Sequence, residues 1–472
     1  MEKSEKKTFS LSLPARASAF GIGSNIIIKA LAVLFTSAFT RLLLPEEYGL
    51  YALFASWLGI FTVISTFSLA GSVLYRGMQK FRDDAAAFLS ATLSLSLIFT
   101  FLSLVIYLFL KDKINSLTGL STALSLLIFT EVASSSAINT YLAKCRYFYR
   151  YKTTLAISLF YSLAWQILAV VIIVATEYKS EARIIASVTV AALTAIPIII
   201  YIFSQGKRFS SRKYWGFALK FNSALVPYHL AHTALTGSDK IIIERIAGQG
   251  ALAKYSIGYS AGMLLTLAVN GVNSALQPWL FRKLSAGEAE RARRLVYALT
   301  KLISLLSLLF ILFAPEALSL LAPREYREAL GVIYPIALSL LPSFVFSVLT
   351  SAKMHDEKNL STLISTALAA ALSIVLNLAL IPRFGYIAAA PISLVSSTVC
   401  LALQYLFSKK SEAKKLIIVN NYLQLFLFFA LCTILAAFIR DSIYARLASA
   451  IPVLLLIAIE GLSLFAEIRE KA

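Results

Sequence analysis

The sequence predicts an all-α integral membrane protein with about fourteen transmembrane helices, built as two parallel six-helix repeats followed by two additional helices. Three observations carry that prediction. The chain of 472 residues is 59% hydrophobic and 14% charged, with a mean hydropathy of +0.78, whereas soluble domains carry about 25% charged residues. Apolar runs of about 18 or more residues recur with short polar breaks between them, each long enough to cross ~30 Å of hydrocarbon as a helix. A closed β-barrel also satisfies its backbone in lipid, but its strands need alternating polarity over ~10 residues, and that alternation is missing here. Finally, segment 40–59, TRLLLPEEYGLYALFASWLG, has a degraded echo 204 residues later, ERIAGQGALAKYSIGYSAGM, where Arg245 stands for Arg41 and Tyr255 for Tyr51.

The helices follow in order. Lys3, Lys6, Lys7 and Arg16 lead into an apolar run near 17–39. That run exceeds the 7–15 residues of a signal-peptide core, so it reads as the first transmembrane helix and no cleavable signal is expected. The remaining runs lie near 48–74, 86–110, 118–142, 154–176, 183–204, 215–236, 250–279, 296–321, 329–350, 360–381, 385–407, 417–439 and 446–466. With a cytoplasmic N-terminus, the inner ends and loops hold 30 Lys or Arg and the outer ones 12, out of 44 in the chain. Such a bias is the positive-inside rule, and it places both termini in the cytoplasm of a multi-pass cell-membrane protein. It also accounts for the net charge of +20 without a nucleic acid partner.

Aligning Arg41 with Arg245 lays the first helix on the seventh and the second on the eighth. The basic stretch 144–152 then falls opposite 353–358, and the fifth and sixth helices fall on 360–381 and 385–407. Units of six helices keep one orientation, so the repeats are related by an axis along the membrane normal. The expected domains are an N lobe at 1–206, a C lobe at 207–408, and two further helices at 409–472 beyond the basic break SKKSEAKK.

Enzyme and pump chemistry find no support. The stretch from Gly248 through Gly250 and Lys254 to Ser256 puts Ala253 where a phosphate-binding loop requires Gly before Lys. Nucleophile elbows, HExxH pairs and clustered catalytic carboxylates are missing. Cys145, Cys400 and Cys432 are dispersed, as packing residues rather than a disulfide framework or metal site. His229 and His232 are three apart on one helix, with no Cys, Asp or third His nearby in sequence, so they read as a polar cavity face. Neither a metal nor an organic cofactor is predicted.

Intramembrane charges are the sharper signal, because each costs a few kcal/mol on insertion scales and needs a partner or a watery cavity. Asn25, Lys29, Thr36 and Thr40 lie on one side of the first helix. Asn222, His229, Thr233 and Thr236 form a matching stripe on the seventh, with His229 opposite Asn25 under the repeat offset. The two stripes point to one shared cavity; the competing reading is hydrogen bonding between helices. Arg76, Lys220 and Lys254 complete the candidate substrate-binding cations, although lysines near helix ends also snorkel to headgroups. Glu131 and Asp239 are candidates for coupling, and Arg41 and Arg245 for gating at the outer face. A cavity richer in cations than anions favours a phosphate or diphosphate.

The run Arg41–Tyr51 (RLLLPEEYGLY), Asn25 with Lys29, Gly71 followed by Arg76, and Asp239-Lys240-Ile241-Ile242-Ile243 leading to Tyr255-Ser256 resemble the polysaccharide-type flippases of the multidrug/oligosaccharidyl-lipid/polysaccharide exporter superfamily. The similarity covers essentially the whole chain. It departs at Ala253-Lys254-Tyr255-Ser256, where the family tends to show Gly-Leu-Tyr-Ser. The resemblance implies two six-helix lobes around a central cavity that carry a polyprenyl-diphosphate-linked oligosaccharide to the outer leaflet by alternating access. Partners would be that glycan, membrane lipids, and the glycosyltransferases and polymerase of the same pathway. Export of two negative charges from a negative interior gains about 4–5 kcal/mol per 100 mV; return of the empty carrier would use H⁺ or Na⁺. Two alternatives remain open at this stage: a cation-coupled multidrug efflux antiporter on the same scaffold, and a non-transporting scaffold of a glycan-assembly complex.

Overall fold

The computed structural model describes residues 13–355, 360–408 and 412–469. Lys3, Lys6, Lys7, Lys358, Lys409, Lys410 and Lys471, which entered the charge count, lie outside the described residues. The first half contains α1 (Leu13–Leu42), α2 (Pro45–Thr66), α3 (Ser72–Lys80), α4 (Ala85–Phe109), α5 (Lys111–Thr118), α6 (Thr122–Tyr147), α7 (Tyr151–Ala175) and α8 (Lys179–Gly206). A short α9 (Arg212–Ser223) leads to α10 (Val226–Gly262), α11 (Thr266–Ser285), α12 (Ala289–Leu312), α13 (Ala314–Leu321), α14 (Leu330–His355), α15 (Leu360–Phe384) and α16 (Ala389–Leu406). The chain closes with α17 (Val419–Phe438) and α18 (Ile443–Arg469). No strand occurs among the described residues.

Local chemistry sets the boundaries. α2 starts where Pro45 takes the first helical position, which needs no N–H donor. Glu46 and Glu47 sit in its first turn, favoured by the helix dipole, and the Glu47 carboxylate accepts from the Leu44 N–H at 2.8 Å. The helix stops at Thr66 because Phe67 and Ser68 take positive φ, 51° and 52°. The second span is therefore 45–66 rather than the expected 48–74, and Arg76 moves onto the separate helix α3.

The seventh span is displaced in the same way. Residues 212–223 form α9, and Pro227 in the first turn of α10 starts a new helix at Val226 instead of 215. α10 runs through the expected loop at 237–249 and breaks only at Gly248, whose φ of 83° suits glycine. Asn222 thus belongs to α9, and Asp239, expected beyond helix seven, lies inside α10.

Eleven helices among the described residues are long and apolar enough to cross a membrane, or twelve if α5 and α6, bent by 90°, form one span. The expected count of fourteen is not reproduced. Val226–Ser285 passes as one 60-residue run despite the break at Gly248, and α1, on the first expected span, is not among the eleven. The protein is a multi-pass helical membrane protein.

Within each half the helices pack mainly on one another, and α2 lies along α10 between the halves. α17 and α18 dock on α12 of the second half. Lys301 pairs with Glu460 at 2.5 Å, and Arg446 forks onto Glu316 while donating to the Leu312 carbonyl at 3.0 Å.

Candidate functional site

The two turns matched in the sequence meet in space. A Cβ on Gly49 would stand 2.1 Å from the Gln249 carbonyl oxygen, and one on Gly250 would stand 2.8 Å from Glu46 Oε1. Only glycine lets backbone and turn approach this closely. Glu46 and Gly250 are equivalent under the 204-residue offset, so the repeat axis passes between them. On the same face, Thr40 donates to the Leu321 carbonyl at 2.7 Å and Arg41 Nη2 to that of Ser319 at 3.2 Å. Arg41 thereby caps α13, whose last carbonyls have no partner within their helix.

Two buried apolar cores bridge the halves at this end. One joins Phe39, Leu43 and Tyr48 to Ala253, Ile257 and α12–α14; the other joins Leu53, Phe54 and Trp57 to Ile243, Leu252 and Ile336. At the opposite, basic end the cores are smaller and separate. Leu69, Val73 and Phe88 pack with Tyr214 and Ala218 of α9 in one cluster and Ile138, Leu142 and Ile202 in another, while Leu280, Val296 and Val348 form a third among α11, α12 and α14.

The expected cations distribute unevenly. Lys29, Thr36 and Thr40 share one face of α1 at 3.6 residues per turn. Thr40 is buried against α13, so this face looks toward the second half. Lys29 lies about 16 Å farther along at 1.5 Å per residue, and its side chain is exposed. The side chain of Asn25 lies outside what the structure describes, so its expected pairing with His229 has no counterpart here. Arg76 and Lys220 are exposed on α3 and α9, toward the basic face, and Arg245 is exposed at the sealed face. Lys254 forms an ion pair with Glu328 at 2.9 Å, and Tyr386 donates to the same carboxylate at 3.0 Å. Asn222 is buried and donates to the Phe67 carbonyl at 2.9 Å, holding the turn between α2 and α3. His229 is half-buried, its ring centroid 5.5 Å from that of Tyr228.

Two carboxylates are buried in separate halves. Glu131 on α6, 4% exposed, accepts from the Tyr161 hydroxyl at 2.9 Å, and its Oε2 has no partner among the described residues. Nearby, Arg183 is 5% exposed inside an aromatic box, its guanidinium 3.9 Å from the Tyr51 ring centroid, 4.4 Å from Phe39 and 4.6 Å from Tyr48. Its Nε and Nη1 have no hydrogen-bond partner among the described residues. Arg183 stands at the first residue of the expected span 183–204, a place where hydropathy marks no site; the signal in the sequence is the Tyr48/Tyr51 pair, one turn apart. Asp239, 1% exposed, accepts from the Tyr255 hydroxyl and, at 2.8 Å, from the Lys240 N–H. Tyr51 and Tyr255, equivalent in the repeat, thus both stand beside buried charge.

The principal cavity, about 360 Å³, lies wholly in the second half among α10, α11, α14, α15 and α16. Asp239 and His232 are its ionisable walls apart from Cys400 and tyrosines; the rest is hydroxyls, two amides and a few apolar and aromatic groups. Among the described residues no Lys or Arg lines it, although Lys240 Nζ stands 4.5 Å from the ring centroid of Tyr259, one of its walls. The expected cation-rich cavity is therefore not this one: the exposed Lys29, Arg76 and Lys220 stand on α1, α3 and α9, none of which lines it. Among the described residues no three His, Cys, Asp or Glu side chains are grouped to hold a metal.

The family model described as polysaccharide biosynthesis protein matches residues 15–284, and the MatE model matches 230–379. No curated protein matches by sequence. Among solved structures, an inward-facing multidrug resistance MATE family transporter of the MOP superfamily is 14% identical with a TM-score of 0.60, covering 81% of this chain and 94% of its own. The lipid II flippase MurJ, in an inward closed conformation, is 17% identical at a TM-score of 0.59, covering 92% and 99%. A MOP superfamily transporter from Pyrococcus furiosus is 14% identical at 0.59, covering 86% and 98%. At these identities the likeness is one of fold.

Proposed function

The chain belongs to the polysaccharide biosynthesis protein family, and from that premise we propose that it flips a polyprenyl-diphosphate-linked oligosaccharide across the cell membrane by alternating access between an N lobe (1–206) and a C lobe (207–408). The observation that carries the reading is Lys29, an exposed cation within the first apolar run, on the face of α1 whose Thr40 meets the second half; in this reading that face lines a cleft open at the basic end. By the positive-inside rule the basic end is cytoplasmic, as are both termini, so the cleft admits cargo from the cytoplasmic leaflet. An ammonium there attracts the diphosphate, while Arg76 and Lys220 raise its local concentration at the mouth. The sugars enter between the lobes and the lipid tail stays in the bilayer. Glu131 and Asp239 are the groups suited to bind H⁺ or Na⁺ on the return of the empty carrier, and the glycosyltransferases and polymerase of the same pathway would supply and take up the glycan.

Reconstituted protein tests this with a fluorophore-bearing N-acetylhexosamine on a polyprenyl diphosphate, scored by protection from an external quencher. Lys29→Ala should slow flipping about 10- to 100-fold, the range of a lost charge-assisted hydrogen bond, and Lys29→Arg should retain most of it. Unchanged flipping in Lys29→Ala would remove the diphosphate role.

A second reading, efflux of amphipathic cations, is favoured by one feature: the 360 Å³ cavity is lined by Asp239 and, among the described residues, by no Lys or Arg. It predicts that a lipophilic cation competes with the diphosphate probe and that Asp239→Asn abolishes the competition.

A further inference from the structure

The serines of α14 recur at every fourth position, Ser339, Ser343, Ser347 and Ser351, and all four line the second-half cavity. At 1.5 Å per residue they form a track about 18 Å long on one face. Each hydroxyl points its proton back into its own helix, to the carbonyls of Ile336 (2.7 Å), Ser339 (2.8 Å), Phe344 (2.7 Å) and Ser347 (2.9 Å). The lone pairs of Ser339 and Ser343 are left to accept from a guest. α11 reaches α14 directly with two amides one turn apart: Ser347 Oγ also stands within donor reach of Asn273 Oδ1 at 3.1 Å, and Ser351 Oγ accepts from Gln277 Nε2 at 2.7 Å. Thr350 adds a buried hydroxyl without a partner among the described residues, and Tyr228, Tyr259 and Phe346 contribute ring faces.

We infer that this cavity is the headgroup subsite of the proposed flippase and selects an uncharged sugar; the inference rests on the flippase reading above. A dense array of neutral acceptors and amide donors beside aromatic rings matches a polyol, which offers many hydroxyls and no charge. A hydrophobic cation has no use for so many hydroxyls, and both oxygens of the one carboxylate, Asp239, are engaged by Tyr255 and the Lys240 N–H. An acidic sugar fares worse. Its carboxylate would leave water for a wall that, among the described residues, has no Lys or Arg of its own and one like charge, the neighbouring Lys240 ammonium being taken up over the Tyr259 ring, and an unpaired buried charge is costly. The volume falls at the low end of the ~300–1,000 Å³ typical of ligand cavities, which suits the terminal sugar of the cargo while the diphosphate remains in the cleft near Lys29.

Binding to the purified full-length protein in nanodiscs separates the possibilities, using three probes on one short polyprenyl chain: the bare diphosphate, the diphosphate with N-acetylhexosamine, and the diphosphate with hexuronic acid. The neutral sugar should tighten binding about tenfold over the bare diphosphate, as two or three net hydrogen bonds allow, and the uronic acid should give no gain. Asn273→Ala with Gln277→Ala should erase the gain and leave affinity for the bare diphosphate unchanged. Asn273→Lys, a single change at a half-buried wall position that keeps the test decisive should the double variant fail to fold, should reverse the preference toward the uronic acid. Equal or tighter binding of the uronic acid to the native protein overturns the inference, as does a sugar gain that survives the double substitution. If none of the three diphosphates binds, the flippase reading itself falls, and the sugar subsite falls with it.

Discussion

A carboxylate in the middle of an apolar helix needs a donor, and Glu131 has one in Tyr161. Tyr161→Phe removes that donor and leaves both oxygens without a hydrogen bond from the described residues. The loss should be about 1–3 kcal/mol, the desolvation cost of an unsatisfied buried group, read as a lower unfolding midpoint in detergent. Glu131→Gln in the Tyr161→Phe background should recover part of it, since a neutral amide is cheaper to bury than a charge; an unchanged midpoint in Tyr161→Phe would mean that water serves Glu131 equally well. The sequence exposed Glu131 because a charge inside an apolar run stands out by itself. Arg183 did not stand out. It lies at a helix start where snorkelling is expected, and its box is assembled from Phe39 on α1 and Tyr48 and Tyr51 on α2, a coincidence of three helices that no local window contains.

Elements were legible where a single property defines them. Long apolar runs gave α4, α6, α7, α8 and the helices from α14 onward near their observed positions, because span length is dictated by bilayer thickness. The short amphipathic helices α3 and α9 were not separated from the spans beside them. Their apolar residues extend the neighbouring runs, and the breaks at Phe67 and before Pro227 are backbone events that hydropathy does not register. The serine track of α14 was visible as a four-residue period, yet its meaning depended on Asn273 and Gln277 arriving from another helix. The last two helices show how an added element is held. Arg446 is 7% exposed and meets Glu316, whereas Glu316 is 42% exposed. Glu316→Ala should therefore cost more than Arg446→Met, approaching the lower end of ~3–5 kcal/mol for stranding a buried charge, and Glu316→Ala with Arg446→Met should cost less than Glu316→Ala alone. Unfolding midpoints measure the order, and faster proteolysis near 439–442 in Glu316→Ala would localise the loss to the junction of α17 and α18.

At the scale of the molecule, the repeat read from segment 40–59 proves to be the seam on which the two halves close. Its sequence signal was weak because the seam demands small residues and backbone contact, Gly49 on Gln249 and Gly250 on Glu46, rather than a conserved pattern of side chains. Alternating access requires this contact to open whenever the basic end closes. Glu46→Cys with Gly250→Cys places two thiols across the axis: the Gly250 Cβ position is 3.9 Å from Glu46 Cγ, one bond beyond the Cβ, within reach of disulfide geometry. Oxidation should form the bond in the resting protein and stop flipping of the diphosphate-linked probe, and reduction should restore it. Single-cysteine variants, which share the native Cys145, Cys400 and Cys432, should flip under both conditions. Flipping that persists in the cross-linked double variant would mean that cargo crosses without parting the halves at Glu46 and Gly250, and the rocking mechanism would have to be abandoned for a path that leaves this seam intact.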